Sequence, residues 1–234
     1  MNAVMVVAEK EIRQLAKSRN VLISAVMFII IFGAMTGPAV LAGESTPGQT
    51  MDQLSFYLIL TLGIFAGYLF TAQVFLREKQ DGVVETLLCT PLSLRQIWLG
   101  KVLGIVIPAS LLSYLAAVMV ISVGSLAIGI TVLPSPPVLF HIIFVIPAFI
   151  AAASGLMGFA QLLLGMRENQ ILNFAIIFGL IFLISFTREL IGPSFRVTWE
   201  VVGAALALAV IILFITSRFT RFLSRERIVT TLPD

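Results

Sequence analysis

The side chains best suited to chemistry lie in one charged segment, residues 77–101, which separates two long apolar runs. Its carboxylates, Glu78, Asp81 and Glu85, are suited to pairing with basic groups or with helix N-termini on another protein. Gly82 allows the backbone to bend or to approach another chain closely. These residue types indicate a docking surface rather than a catalytic centre.

The same segment is predicted to form two helices separated by a proline. An apolar stripe that includes Leu88 lies on the first helix, and Pro91 ends this helix because proline cannot continue it. Ser93 and Gln96 have the spacing of a capping box, which predicts that a second helix begins here and enters the membrane. The alternative is a solvated connector that is helical only because amphipathic segments bind bilayers. Such a connector does not need two capped helices.

The other reactive residues do not form a known type of site. The chain has no G-x-x-x-x-G-K-[ST] sequence for ATP phosphates, and its Gly100-Lys101 pair is followed by valine at the start of an apolar run. One histidine, His141, and one cysteine, Cys89, cannot supply four zinc ligands, and no Ser-His-Asp triad is plausible. We therefore expect no enzymatic activity, no cofactor and no metal ion.

The composition is that of a membrane protein. Of the 234 residues, 59% are hydrophobic and only 12% are charged, whereas a soluble domain has roughly 25% charged residues. Too little charge is present to cover a surface that faces water, so most of the surface must face lipid. The basic residues are grouped by membrane topology and do not indicate nucleic-acid binding. A single cysteine excludes an internal disulfide.

Six apolar runs approach or exceed the length that crosses a bilayer, which is about 20 residues. The run that begins at Val102 contains no charged residue before Arg167 and is too long for one crossing, and the prolines of 133–137 divide it. The six runs are 21–41, 54–76, 102–130, 139–165, 171–186 and 201–217. The predicted fold is therefore all-α: one polytopic membrane domain, residues 1–234, with six transmembrane helices.

The basic residues predict the orientation of these helices. With six spans, all but two of the 15 lysines and arginines lie on the side that holds both termini. The exceptions are Arg188 and Arg196, between the fifth and sixth runs. Because cytoplasmic loops are enriched in Lys and Arg, both termini and residues 77–101 are predicted to be cytoplasmic in a cell membrane. The first run is longer than the apolar part of a signal peptide, so we do not expect its cleavage.

Residues 1–19 predict a short basic amphipathic helix before the first span. Apolar residues recur on one face and basic residues lie on the other: Val4, Ala8, Ile12 and Leu15 against Lys10, Arg13 and Lys17. The helix is expected to lie in the cytoplasmic interface, either as an anchor only or as the border of a docking surface. Trp98 and Lys101 are likewise expected to be interface anchors where the third span begins.

These features together resemble the ABC-2 type transporter permeases, the membrane subunits of one class of ATP-driven exporters. That family has an acidic stretch with a glycine, then a glutamate with apolar residues, a proline, and a Gly-Lys pair that opens the next span. The matching residues here are Glu78, Asp81-Gly82, Glu85-Thr86-Leu87-Leu88, Thr90-Pro91 and Gly100-Lys101. With the six spans and the N-terminal helix, the resemblance covers nearly the whole chain.

The resemblance implies functions for two segments. Residues 78–91 would form a cytoplasmic coupling helix that docks into a cleft of a separate ATPase subunit, through Glu78, Asp81, Gly82, Glu85, Leu88 and Pro91. Residues 186–200 would form short extracellular helices that help to close the outer end of the pathway, through Arg188, Glu189 and Arg196. An ordinary polar loop is the alternative for this second segment.

The resemblance also implies a half-transporter that binds a second copy of itself and two ATPase subunits, which would bind the ATP. Gly33 and Gly37 give the first span a small-residue face, either for this dimer contact or for packing within one chain. A secondary transporter or channel is an alternative, although the spans show neither interior acidic residues nor an evident inverted repeat. A non-transport membrane assembly factor is another. The substrate and the choice between homodimer and heterodimer stay open.

Overall fold

The computed structural model describes residues 3–41, 47–83, 86, 89–129, 131, 133–165, 168–176, 178–179 and 195–220. Over these ranges the regular structure is entirely helical, as predicted. The helices are α1 Ala3–Lys17, α2 Arg19–Leu41, α3 Pro47–Thr71, α4 Arg77–Gln80, α5 Leu94–Ile128, α6 Pro136–Phe140, α7 Ile146–Leu163 and α8 Trp199–Phe219. Two π-helical segments, Ala72–Leu76 and His141–Val145, join α3 to α4 and α6 to α7 without interrupting the helix. Residues 168–176 are also helical.

Among the described residues, four continuous helices are long and apolar enough to cross a membrane, so the chain is a membrane-embedded, multi-pass helical protein. They are Gly48–Gln80, Leu94–Ala127, Pro136–Leu163 and Trp199–Phe219. A fifth candidate consists of α1 with the first part of α2, which meet at an angle of 77°. The predicted first run lies within α2, whereas much of the predicted fifth run, 171–186, lies outside the described residues.

The boundaries of α5 follow from residues with recognisable capping roles. The Ser93 hydroxyl accepts a hydrogen bond from the Gln96 backbone N–H at 3.2 Å, and Gln96 Oε1 accepts one from the Ser93 N–H at 3.0 Å. Gly129 follows the last turn with a φ of 75°, a left-handed conformation that glycine adopts without strain. The capping box and the break between the third and fourth runs are thus confirmed. Pro136, however, begins α6 instead of lying in the loop.

Several helix ends meet at what we call the charged end of the bundle. Lys10 of α1 donates a hydrogen bond to Glu78 of α4 at 2.7 Å. Near the start of α5, the Arg95 guanidinium lies 3.5 Å from Ser217 Oγ, which belongs to the last turns of α8. α1 and the end of α8 therefore lie at the same end of the bundle.

Polar contacts join the chain at the opposite end of the bundle. Gln49 and Gln53 in the first turns of α3 both donate side-chain hydrogen bonds to the Phe195 carbonyl, Gln49 at 3.2 Å. The Asp52 carboxylate accepts a hydrogen bond from the Ser135 N–H at 2.8 Å. The start of α3, the loop before α6 and the segment before α8 consequently lie together, one bundle length from the charged end.

α5 lies at the centre of the bundle and packs against α1, α2, α3 and α7. Ile105 of α5, Phe70 of α3 and Ile150 of α7 belong to one buried apolar core. Glycines bring the helices close: a Cβ placed on Gly67 would lie only 3.1 Å from Ile150 Cγ2. Because lipid tails are as apolar as leucine, such close packing is what holds membrane helices together.

Two glycines of α5 form the surface on which α1 packs. A Cβ on Gly100 would lie 2.6 Å from Val7 Cβ, and one on Gly104 would lie 2.6 Å from Glu11 Cβ. The buried face of α1 consists of Val7, Ala8, Glu11 and Leu15. The N-terminal helix is therefore present where it was predicted, but this face covers protein instead of lipid.

Gly100→Ala is expected to destabilise the chain by about 1–3 kcal/mol, because the new methyl group overpacks the contact with α1. The added Cβ would also lie 2.9 Å from the Val4 carbonyl oxygen, a backbone atom that cannot rotate away. The matched control is Gly203→Ala in α8, where a Cβ would meet nothing within 4 Å. Thermal unfolding in detergent measures both variants, and equal midpoints for the two would contradict the close packing of α1 on α5.

Candidate functional site

Four charged side chains from three helices form a network at the charged end, which we call the charge cluster. α1 contributes Lys10 and Glu11, α4 contributes Glu78, and α5 contributes Lys101. The last three side chains are almost fully buried, with exposed fractions of 0%, 3% and 3%. Two ammonium groups and two carboxylates balance each other, and this balance lets the charges lie away from water.

Lys101 is the centre of the charge cluster. Its ammonium group donates to Glu11 Oε1 at 3.2 Å, to the Val74 carbonyl at 3.0 Å and to Glu78 Oε2. The same nitrogen lies 5.4 Å from the centre of the Phe75 ring, within the range of a cation–π contact. An ammonium group has three N–H donors. Three oxygen atoms accept from it here, so each donor has an acceptor.

Lys10 lies on the solvent-exposed side of the charge cluster. Its ammonium group donates to Glu78 Oε1 at 2.7 Å and to Glu11 Oε1 at 3.1 Å. Burial, the largest single influence, lowers the pKa of Lys10, but the hydrogen bonds and charges of the two carboxylates outweigh it, so the pKa is raised. The charged form of Lys10 is therefore favoured. Glu11 Oε2 has no hydrogen-bond partner among the described residues.

The π-helical segment Ala72–Leu76 determines which side chains enter the charge cluster. A π turn closes with i→i+5 hydrogen bonds, as between the Arg77 N–H and the Ala72 carbonyl, and so contains one residue more than an α turn. It thereby changes the helix face on which all later residues lie. Directly after it, Glu78 and Lys79 are both buried.

Lys79 joins α4 to the end of α7. Its ammonium group donates to the carbonyls of Gln161 and Leu162, both at 3.3 Å, and of Leu164 at 2.6 Å. Asn169 donates to two of the same carbonyls, those of Gln161 and Leu164, at 3.1 Å. A cation at a helix C-terminus satisfies carbonyls that have no partner within the helix and interacts favourably with the helix dipole.

The structure separates the residues predicted for the coupling segment into two groups. Asp81, Gly82 and Pro91 are exposed, and Gly82 has a left-handed backbone with a φ of 69°. Glu78 was predicted to contact a partner, but it is buried in the charge cluster because two lysines surround it. The Glu78 side chain therefore presents no surface to a partner.

Four other predicted site residues lie outside the described residues. They are Glu85 and Leu88 of the coupling segment and Arg188 and Glu189 of the extracellular gate segment. Arg196 of that gate segment is described and exposed, in an extended stretch at the opposite end of the bundle. The Phe195 carbonyl beside it is the acceptor of the two glutamine hydrogen bonds from α3.

Trp98 and Lys101 were predicted to be interface anchors, and the structure corrects this expectation for both. Trp98 is buried, and its indole N–H donates to the Gly155 carbonyl at 3.1 Å. Gly155 leaves the space for the ring, since a Cβ there would lie 2.9 Å from Trp98 Cζ2. Lys101 is held inside by its two carboxylates. Both residues thus connect helices instead of facing lipid headgroups.

Lys10 and Glu11 take part in the charge cluster although neither was predicted as a site residue. A signal for Glu11 was present, because it lies three residues after Ala8 and four before Leu15, on the face of α1 that was predicted to be apolar. An acidic residue on the apolar face of a basic helix indicates a buried cation as its partner. Lys101 of α5 is this cation.

The charge cluster joins three helices, α1, α4 and α5, through one buried group of ion pairs. No protein-family model matches the chain, and no curated protein matches it.

Proposed function

We propose that the chain is the membrane-spanning permease subunit of an ATP-driven ABC exporter of the ABC-2 type. The observation that carries this proposal is the ion pair between Glu78 and Lys101. These two residues lie just before and just after residues 79–100, which we call the charged loop. The pair closes this loop at its base, and the same pair binds α1 through Glu11 and Lys10.

A loop closed in this way is suited to couple an external protein to the membrane helices. Asp81, Gly82, Cys89 and Pro91 of the charged loop are exposed, so a partner can reach it. A displacement of the loop would move α4 and α5 together, because their buried charges cannot separate without leaving a carboxylate unpaired in a low-dielectric site. ATP would bind to a separate ATPase subunit, and this chain itself would have no enzymatic activity.

The positions of the described segments support six crossings. Leu164, which follows α7, contacts Lys79 at the charged end, whereas Phe195, which precedes α8, contacts Gln53 at the opposite end. The chain between Leu164 and Phe195 must therefore return across the bundle. Together with α2 and the four continuous apolar helices, such a return supports six spans with both ends of the described chain at the charged end. The positive-inside rule favours a cytoplasmic location for that end.

Thiol labelling tests this orientation. Native Cys89 is exposed in the charged loop and is expected to react with a membrane-impermeant maleimide only after the cells are permeabilised. Leu133→Cys in a Cys89→Ser background is expected to react in intact cells, since Leu133 is exposed beside the opposite end. Reaction of the cysteine at position 133 only after permeabilisation would reverse the proposed orientation.

A secondary transporter is less well supported. The described residues do include buried carboxylates, Glu11 and Glu78. Both lie at the charged end and are bound to lysines, whereas proton- and ion-coupled carriers place ionisable residues along the pathway through the membrane. The charge cluster therefore fits a coupling element better than a proton site.

Of the two alternatives for Gly33, a dimer contact or packing within one chain, the contacts support the second. A Cβ on Gly33 would lie 3.6 Å from Val120 Cγ2 of α5 in the same chain, so this glycine serves packing within one subunit. The proposal of a second copy rests on the resemblance to the ABC-2 type permeases and on the six proposed spans. A closed two-fold assembly would place the same surface of both copies in contact.

Purification of the tagged chain from its native membrane in mild detergent tests the proposed function. We expect a P-loop ATPase to co-purify, and native mass measurement should give two copies of each chain. Recovery of a transport-active single chain that responds to an ion gradient and contains no ATPase would instead support the secondary transporter. A complex without transport activity, containing other membrane proteins, would support the assembly factor.

A further inference from the structure

An open cleft of about 460 Å³ lies at the charged end, between the beginning of α2 and the π-helical end of α3. This volume is within the roughly 300–1,000 Å³ that is typical of ligand sites. Its polar lining includes Asn20 and Ser24 of α2, together with Gln73 and Gln80 on the other wall. The Ser24 hydroxyl donates to the Asn20 carbonyl at 2.9 Å, so its oxygen can still accept a hydrogen bond.

Two opposite charges lie on one rim of this cleft. Arg77 and Asp81 are both 59% exposed, and the closest approach between Arg77 Nε and Asp81 Oδ2 is 3.7 Å. This separation is too long for a hydrogen bond. Each group can therefore bind a further partner of opposite charge, the guanidinium an anion and the carboxylate a cation.

Apolar side chains complete the lining of the cleft. Val21 of α2 and Leu69 and Leu76 from the other wall are partly buried there. A ligand that suits this lining has an apolar part, several hydrogen-bonding groups and one charge of each sign. Charge-assisted hydrogen bonds to both signs are the strongest contacts the cleft can offer.

We propose that this cleft binds one phospholipid with a zwitterionic headgroup, its phosphate on Arg77 and its ammonium group on Asp81. The acyl chains would follow Val21, Leu69 and Leu76 toward the hydrocarbon core. An anionic headgroup fits less well, because its excess negative charge would face the Asp81 carboxylate. The bound lipid connects α2 to Arg77 of α4, the residue directly before Glu78. Its presence or absence would therefore affect the Glu78–Lys101 ion pair at the base of the charged loop.

The inference requires only a membrane-embedded chain and does not depend on an ATPase partner. Native mass spectrometry of the purified chain, titrated with phosphatidylethanolamine or phosphatidylglycerol, provides the test. We expect one phosphatidylethanolamine to bind in preference to phosphatidylglycerol. Arg77→Gln should weaken this binding by about tenfold or more, since a charge-assisted hydrogen bond is lost. Asp81→Asn should shift the preference toward phosphatidylglycerol.

The matched control is Arg95→Gln, which removes the same charge from an exposed arginine at the same end but outside the cleft. Its lipid binding should equal that of the unaltered chain. Ser24→Phe fills the cleft without a change of charge and should also abolish phosphatidylethanolamine binding. If Arg77→Gln does not fold, the Ser24→Phe variant still tests whether the lipid binds in the cleft. Equal binding by the Ser24→Phe variant and the unaltered chain, or a preference of the unaltered chain for phosphatidylglycerol, would overturn the proposal.

Discussion

Lys101→Met is expected to lower the free energy of unfolding by about 3–5 kcal/mol, because it leaves carboxylates in a buried site without their central cation. Glu11 and Glu78 would then share only Lys10, which is half exposed. Methionine keeps much of the volume of the lysine side chain, so the loss would report the charge and not a cavity. Denaturation of the purified chain in detergent measures the change.

The control for this experiment is Arg95→Met, which removes a positive charge from an exposed position on the same helix. Its effect should stay within about 0.5 kcal/mol, as is usual for surface substitutions. In a double-mutant cycle, Glu78→Gln combined with Lys101→Met should cost less than the two separate changes, by about 0.5–3 kcal/mol. Strict additivity would mean that Glu78 and Lys101 do not interact, and the closed base of the charged loop would then be wrong.

The second large effect is expected on transport. Glu85→Arg should reduce the proposed ATP-driven transport by about tenfold or more in the presence of the proposed ATPase subunit, since reversing one charge of a docking pair costs several kcal/mol. The residue belongs to the acidic pattern of residues 77–101, so the substitution should leave insertion and folding of the chain unchanged. Reconstituted vesicles with purified partner measure transport and substrate-stimulated ATP hydrolysis together.

A matched charge reversal distinguishes docking from a general electrostatic effect. Glu9→Arg reverses an exposed carboxylate of α1 at the same end of the bundle but outside residues 78–91, and should leave both activities intact. If Glu85→Arg also leaves transport and stimulated hydrolysis unchanged, the assignment of residues 78–91 to coupling fails. Loss of transport with retained co-purification would locate the defect in the transmission of motion.

Local features of this fold were predictable because they depend on neighbours in sequence. Ser93 and Gln96 specify a capping box whatever lies around them, and Pro136 begins α6 after the break that follows Gly129. The amphipathic α1 follows in the same way from the spacing of its residues. These predictions required no knowledge of which helices pack together.

The interior of the site was not predictable, since burial at the charged end depends on contacts between distant helices. In the sequence, Trp98 lies near the start of a span, where an interface anchor is expected. The structure buries its ring against α7, where Gly155 leaves the space for it. The π-helical segment Ala72–Leu76 adds a second difficulty. Its extra residue shifts the following residues, including Glu78, to a different face of the helix. A projection that assumes a continuous α-helix therefore assigns the Glu78 carboxylate to the wrong face.

The charge cluster also has a consequence for how the chain is assembled during synthesis. Its ion pairs join residues that are 68 and 90 positions apart, Lys10 with Glu78 and Glu11 with Lys101. Synthesis proceeds from the N-terminus, so α1 is made long before either of its partners exists. The glycine surface on α5 that receives α1 is completed only with Gly104, just after Lys101. α1 therefore leaves the ribosome well before α5, yet it can reach its final position only after α5 has been made.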